Sequence, residues 1–126
     1  MSNNSQPTFA NGKICYMELP SRDVQESSSF YQEIFQWNVR SRSDGSAAFD
    51  DSIGEVSGTW RTDRKPSTEI GVLIHIMVDD IEVTMQKIKK LGGTIVQEVG
   101  MDLPEITAWF RDPSGNLFGL YQHNSQ

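Results

Sequence analysis

Residues 71–80 read Gly71-Val72-Leu73-Ile74-His75-Ile76-Met77-Val78-Asp79-Asp80, and an earlier stretch, Ile14-Cys15-Tyr16-Met17-Glu18-Leu19 running on to Asp23, carries the same signals in the same order. Each is a run of alternating character that reads as a strand, followed by an Asp suited to cap a helix with its short carboxylate. The offset between the capping residues is 80 − 23 = 57, which pairs Leu73 with Tyr16 and His75 with Glu18. The chain is a repeat.

Working outward, Asp23-Val24 opens a helix predicted to reach about Phe35, with Glu26 three residues past the cap as a capping-box partner. Asp80-Ile81 opens the second, with Ile81, Met85, Ile88 and Leu91 at helical spacing and Gly92-Gly93 as its stop. Further along, Asp51-Ser52-Ile53-Gly54 with Gly58 matches Asp112-Pro113-Ser114-Gly115 with Gly119, at an offset of 119 − 58 = 61. Extra residues between the copies fall in loops, which absorb insertions at little cost. Predicted strands after the helices are 38–42, 47–50 and 56–60, then 94–98, 106–111 and 116–121. Asp112-Pro113-Ser114-Gly115 suits a type I turn joining the last two.

The expected fold is α+β, two tandem βαβββ modules forming curved mixed sheets around a cleft, with the helices on the convex side. The expected division is a disordered N-terminal arm over 1–11, a first module over 12–61, a linker over 62–70, a second module over 71–122 and a tail over 123–126. The arm is rich in Ser, Asn and Gln and has little to bury.

Composition excludes several function classes. A net charge of −6 with scattered basic residues disfavours nucleic acid, whose phosphates demand clustered Lys and Arg. Arg61, Arg64 and Lys65 beside Pro66 read as a solvated linker. No segment approaches the roughly 20 apolar residues of a membrane span, and the N-terminus has no signal-peptide pattern. With one cysteine, Cys15, no intrachain disulfide can form, which fits a reducing cytoplasm.

Strand alternation sorts side chains by face. Val72, Ile74, Ile76 and Val78 should meet the second helix, and Cys15, Met17 and Leu19 the first. Cys15 is then expected to be buried and inert. Tyr16, Glu18, Leu73, His75 and Met77 point the other way, toward the cleft. Tyr16, Trp60 and Tyr121 are expected on this inner face with Gly58 and Gly119, as aromatic walls around a space widened by missing side chains. No nucleophile elbow, phosphate-cradling loop or paired-cysteine motif is present.

The order of Leu19-Pro20-Ser21-Arg22-Asp23-Val24 with Phe30-Tyr31, Val78-Asp79-Asp80-Ile81 with Leu91-Gly92-Gly93, and Phe110-Arg111-Asp112-Pro113-Ser114-Gly115-Asn116 resembles the vicinal oxygen chelate superfamily. That group includes glyoxalase I, bleomycin-resistance proteins and extradiol dioxygenases, and the likeness is to its small, mostly uncharacterised glyoxalase-like members. The resemblance covers 13–122 and implies a homodimer. In catalytic members it implies a divalent metal held by His and Glu from the first and last strand of each module. Those positions fall on Tyr16, Gly58, Leu73 and Gly119, none an ordinary metal ligand.

Two ligand-based readings stay open beside a third, a structural or interaction module with no ligand and a cleft plugged by side chains. One is a metal-independent binder of an aromatic or amphipathic small molecule, its ligand touching Tyr16, Glu18, Gly58, Trp60, Leu73, His75, Gly119 and Tyr121, with no cofactor. The other is a lyase, isomerase or dioxygenase using Glu18 and His75 as displaced metal ligands or as an acid–base pair. Against both, Glu18 could pair with an arginine such as Arg111, and His75 could hydrogen-bond a neighbour. His123 lies outside the repeat.

Overall fold

The structure is a computed structural model in which residues 7–123 are described. It divides into two compact units, 1–64 and 65–126. Each holds one helix and a four-stranded mixed sheet.

The first unit runs β1 (Tyr16–Pro20), α1 (Val24–Phe35), β2 (Asn38–Ser41), β3 (Ala47–Asp50) and β4 (Ser57–Arg61). Its sheet order is β1-β4-β3-β2, with β1 parallel to β4 and the other pairs antiparallel. The Asp23 carboxylate accepts from the Glu26 amide at 3.1 Å, as a cap must to satisfy an orphan N–H of the first turn. At the other end Gln36 takes a left-handed conformation, φ 58°, and its side-chain amide donates to the Glu33 and Ile34 carbonyls. Those bonds offset the strain of a side chain in that region.

One face of the sheet is filled by aromatic rings. Tyr31 stacks on Trp37 at 4.6 Å, Trp37 on Phe49 at 4.6 Å, and Phe49 lies 4.7 Å from Trp60. With Leu19, Phe30, Ile34 and Phe35 they form the core under α1. Burial of several rings, each worth about 2–3 kcal/mol, is the main stabilisation of this unit.

Three expectations are corrected here. Cys15 is exposed, because β1 starts one residue later and only its far end, at the buried Leu19, lies beneath α1. Trp60 is not an inner wall: it pairs in register with Leu19 and is 5% exposed within the helix-side core. Gly58 shares that helix side. A Cβ there would collide with the Phe49 ring and the Met17 carbonyl, so the missing side chain makes room for Phe49 and not for a ligand. Within the expected arm, Thr8 bonds to Glu55 through its amide and hydroxyl, as does the Lys13 side chain just past the arm; residues 1–6 lie outside the described residues.

The second unit runs β5 (His75–Val78), α2 (Ile81–Lys90), β6 (Thr94–Gln97), β7 (Ile106–Arg111) and β8 (Leu117–Gln122), in sheet order β5-β8-β7-β6. Asp80 caps α2 by accepting from the Val83 amide at 3.2 Å, and the Gln122 side chain accepts from the Ile81 amide at 2.8 Å. Ile81, Met85 and Ile88 pack with Ala108, Phe110, Phe118 and Leu120 as the core. The strand expected from Val72 begins only at His75, because β8 pairs no further back than that residue. Val72 (89% exposed) and Ile74 (41% exposed) therefore do not meet α2, and Leu91, 37% exposed, ends the helix at its rim.

The hairpin loop closed by Asp51 and Val56 is one residue longer than the one closed by Asp112 and Asn116. Glu18 consequently pairs with Thr59, whereas His75 pairs with Gly119. Thr59, not Gly58, is the counterpart of Gly119.

Candidate functional site

Each sheet has a face turned away from its helix, and the side chains singled out from the sequence sort onto these two faces. In the first unit that face carries Tyr16 and Glu18 from β1, Thr59 and Arg61 from β4, Asp50 from β3 and Arg40 from β2, assigned from the register. Nearly every charge on it is paired. Arg64 holds Glu18 at 2.6 Å and Arg61 approaches it at 3.7 Å, so the partner of Glu18 is this pair and not Arg111. Arg111 instead donates to the Gly115 carbonyl at 2.7 Å. The residues read as a solvated linker thus include two that meet the candidate carboxylate. β1 is moreover an edge strand, so Glu18, its side chain 35% exposed, is hydrated as well as paired.

Arg40 grips Asp50 with two bonds of 2.9 Å, and Ser57 and Asn38 also donate to it. The Arg40 hydrogen bonds, reinforced by Ser57 and Asn38 and opposed by partial burial, bring the Asp50 carboxyl from 3.8 down to about 2. Arg61 is held in its charged form chiefly by its hydrogen bonds to Asp63. The Arg42 guanidinium donates to the Tyr16 hydroxyl at 3.0 Å.

In the second unit His75, Gly119 and Trp109 lie in one row across β5, β8 and β7. The imidazole lies over the glycine, its Nε2 2.6 Å from where a Cβ would stand. The next row holds Met77, Tyr121 and Thr107, with the Thr107 hydroxyl bonded to Asp102 at 3.1 Å. Leu73 is half-buried but precedes β5 and belongs to no strand. Trp109, Tyr121 and Met77 make these rows richer in aromatic and apolar groups than the first face, although His75, Thr107 and, one row on, Arg111 share the face.

Sequence reasoning missed Arg42 and Trp109. Both were legible in principle: Trp109 has the strand parity that opposes Gly119, and Arg42 the parity of Arg40.

The donor set does not fit a divalent metal. Tyr16, Thr59, Leu73 and Gly119 supply no imidazole, carboxylate or thiolate, and Glu18 is engaged by guanidinium groups. Among the described residues no group of three or more His, Cys, Asp or Glu is placed to hold a metal ion. No helix among them is long and apolar enough to cross a membrane.

A family model described as the Glyoxalase/Bleomycin resistance protein/Dioxygenase superfamily matches residues 13–120. A Vibrio parahaemolyticus protein named "Probable lactoylglutathione lyase" is 31% identical, the match covering 91% of this chain and 94% of that protein. Among solved structures, the fosfomycin resistance protein FosX of Listeria monocytogenes superposes with a TM-score of 0.71 at 18% identity, covering 92% of this chain and 94% of FosX. A glyoxalase/bleomycin resistance protein/dioxygenase family enzyme of Burkholderia phytofirmans gives 0.70 at 19% identity, covering 85% and 95%.

Proposed function

The chain belongs to the glyoxalase/bleomycin resistance protein/dioxygenase superfamily, and from that premise we propose that it is a metal-independent binding protein for a small aromatic or amphipathic molecule, acting as a cytoplasmic homodimer. The observation that carries this reading is the chemistry of the ligand positions: a phenol, a threonine, a leucine and a glycine stand where the family's metal chemistry needs imidazole and carboxylate. The second unit's open face adds support, since Trp109, Tyr121 and Met77 beside Gly119 offer flat apolar surface with polar tips.

Titrating the protein with a chemically diverse library should change its tryptophan fluorescence. Trp109 is the expected reporter, because Trp37 and Trp60 are core residues. Trp109→Phe should abolish the change while leaving binding measurable by calorimetry. Silence across the library in both measurements refutes the proposal.

The Vibrio parahaemolyticus relative's name favours a second reading, a glyoxalase-like lyase or isomerase working through Glu18 and His75. Its metal-dependent form requires stoichiometric Mn, Fe, Co, Ni or Zn after metal-supplemented purification. Elemental analysis finding none would eliminate it.

A further inference from the structure

We propose that Arg42 and Tyr16 form a clamp for an oxyanion, so that the small molecule bound by this protein carries a carboxylate or phosphoryl head group. The inference rests on the small-molecule reading above and adds the charge of the ligand.

Arg42 stands just past β2 and Tyr16 opens β1, the two outer strands of the first sheet, and their side chains meet on the face away from α1. The chain has six basic residues up to Arg64, namely Lys13, Arg22, Arg40, Arg42, Arg61 and Arg64. Five have a carboxylate at ion-pair distance: Glu55 for Lys13, Glu26 for Arg22, Asp50 for Arg40, Asp63 for Arg61 and Glu18 for Arg64. Arg42 has none among the described residues; its side chain bonds only to a neutral phenol. Asp44 is close enough to feel its charge, but that carboxylate accepts from the Ser46 amide at 3.0 Å and hydroxyl at 2.7 Å.

The hydrogen-bond inventory identifies what is missing. A guanidinium has five N–H donors in a planar fork, and one of Arg42's goes to Tyr16. The Tyr16 oxygen, accepting from Arg42, keeps its own proton to donate. Both therefore present donors, with no acceptor, to the same exposed space, Tyr16 being 46% exposed. Arg40 and Arg61 lie within electrostatic reach of the Tyr16 oxygen. Each of these two, and Arg64, has a carboxylate at ion-pair distance, whereas Arg42 feels one, Asp44, only at longer range. An oxyanion satisfies the fork and the phenol together, through charge-assisted bonds stronger than those a neutral ligand would make.

The test uses 1-naphthoate, its neutral isostere 1-naphthamide, and inorganic phosphate on the full-length protein. Naphthoate should bind about tenfold tighter than naphthamide at low salt, an advantage that added salt erodes. Arg42→Gln should erase the preference, Tyr16→Phe should reduce it, and Arg42→Lys, which keeps charge but loses the fork, should retain part. Circular dichroism controls for folding, and Arg42 is exposed, so neither variant should disturb it. Equal affinity for the two naphthyl probes, or an undiminished preference in Arg42→Gln, overturns the clamp while the binding reading stands. If neither naphthyl compound binds but phosphate shifts the Arg42 side-chain resonance, the clamp stands; if nothing binds, the clamp falls, and the binding reading is decided by the library titration.

Discussion

The ring of Phe49 occupies the space that a side chain at Gly58 would fill. That contact assigns Gly58 to the helix side of the first sheet, and with it Trp60 two residues on. The equivalent row in the second sheet pairs Phe110 with Phe118, whose rings stack at 5.9 Å.

Gly58→Ala should accordingly destabilise the protein by about 1–3 kcal/mol, because the new methyl group meets both a buried ring and backbone. Gly119→Ala should cost less than about 1 kcal/mol, since the obstacle there is the imidazole of exposed His75, which can swing aside. Urea unfolding of the two variants measures the difference. Equal costs would show that both glycines face packed interior.

Acid should weaken the first unit through Asp50. Its carboxyl titrates lower in the folded chain, at about 2, than the usual 3.8, so the unfolded state binds the proton more readily. The stabilisation is full above about pH 4 and is lost as the pH falls toward 2. Allowing for a side chain that is 23% exposed, it amounts to about 1–2 kcal/mol. Asp50→Asn should remove this component of the pH dependence, read from urea midpoints between pH 2 and 5.

The Cys15 thiol should react with a disulfide reagent such as 5,5′-dithiobis(2-nitrobenzoate) in the native protein, without denaturant, since it is exposed. Full protection until unfolding would place it at an interface.

Asp23→Ala should cost about 1 kcal/mol by stripping the acceptor from the Glu26 amide at the start of α1. Asp23→Ser should restore most of it. Thermal melts of the three proteins decide the matter.

The repeat, both capping aspartates, and strands β3 and β7 to the residue were legible in the sequence, as was the membership of Glu18 and His75 in equivalent positions. Those are local properties. Helix caps depend on residues three apart and strand faces on a period of two, so a short window suffices to read them. The mistaken face for Trp60 and Gly58 has a definite origin: the hairpin loop closed by Asp51 and Val56 contains one residue more than its counterpart, and a one-residue slip moves a whole strand to its other face.

What the amino-acid order determined by itself was the doubled βαβββ plan and the absence of metal-ligand side chains at Tyr16, Leu73 and Gly119. What only the tertiary structure decided was partnership: that Arg61 and Arg64 converge on Glu18, that Arg42 reaches Tyr16 from the opposite edge of its sheet, and that His75 lies across Gly119. Long flexible side chains choose their partners by where the sheet register brings distant strands together. That register is set by the packing of a core that no single segment contains.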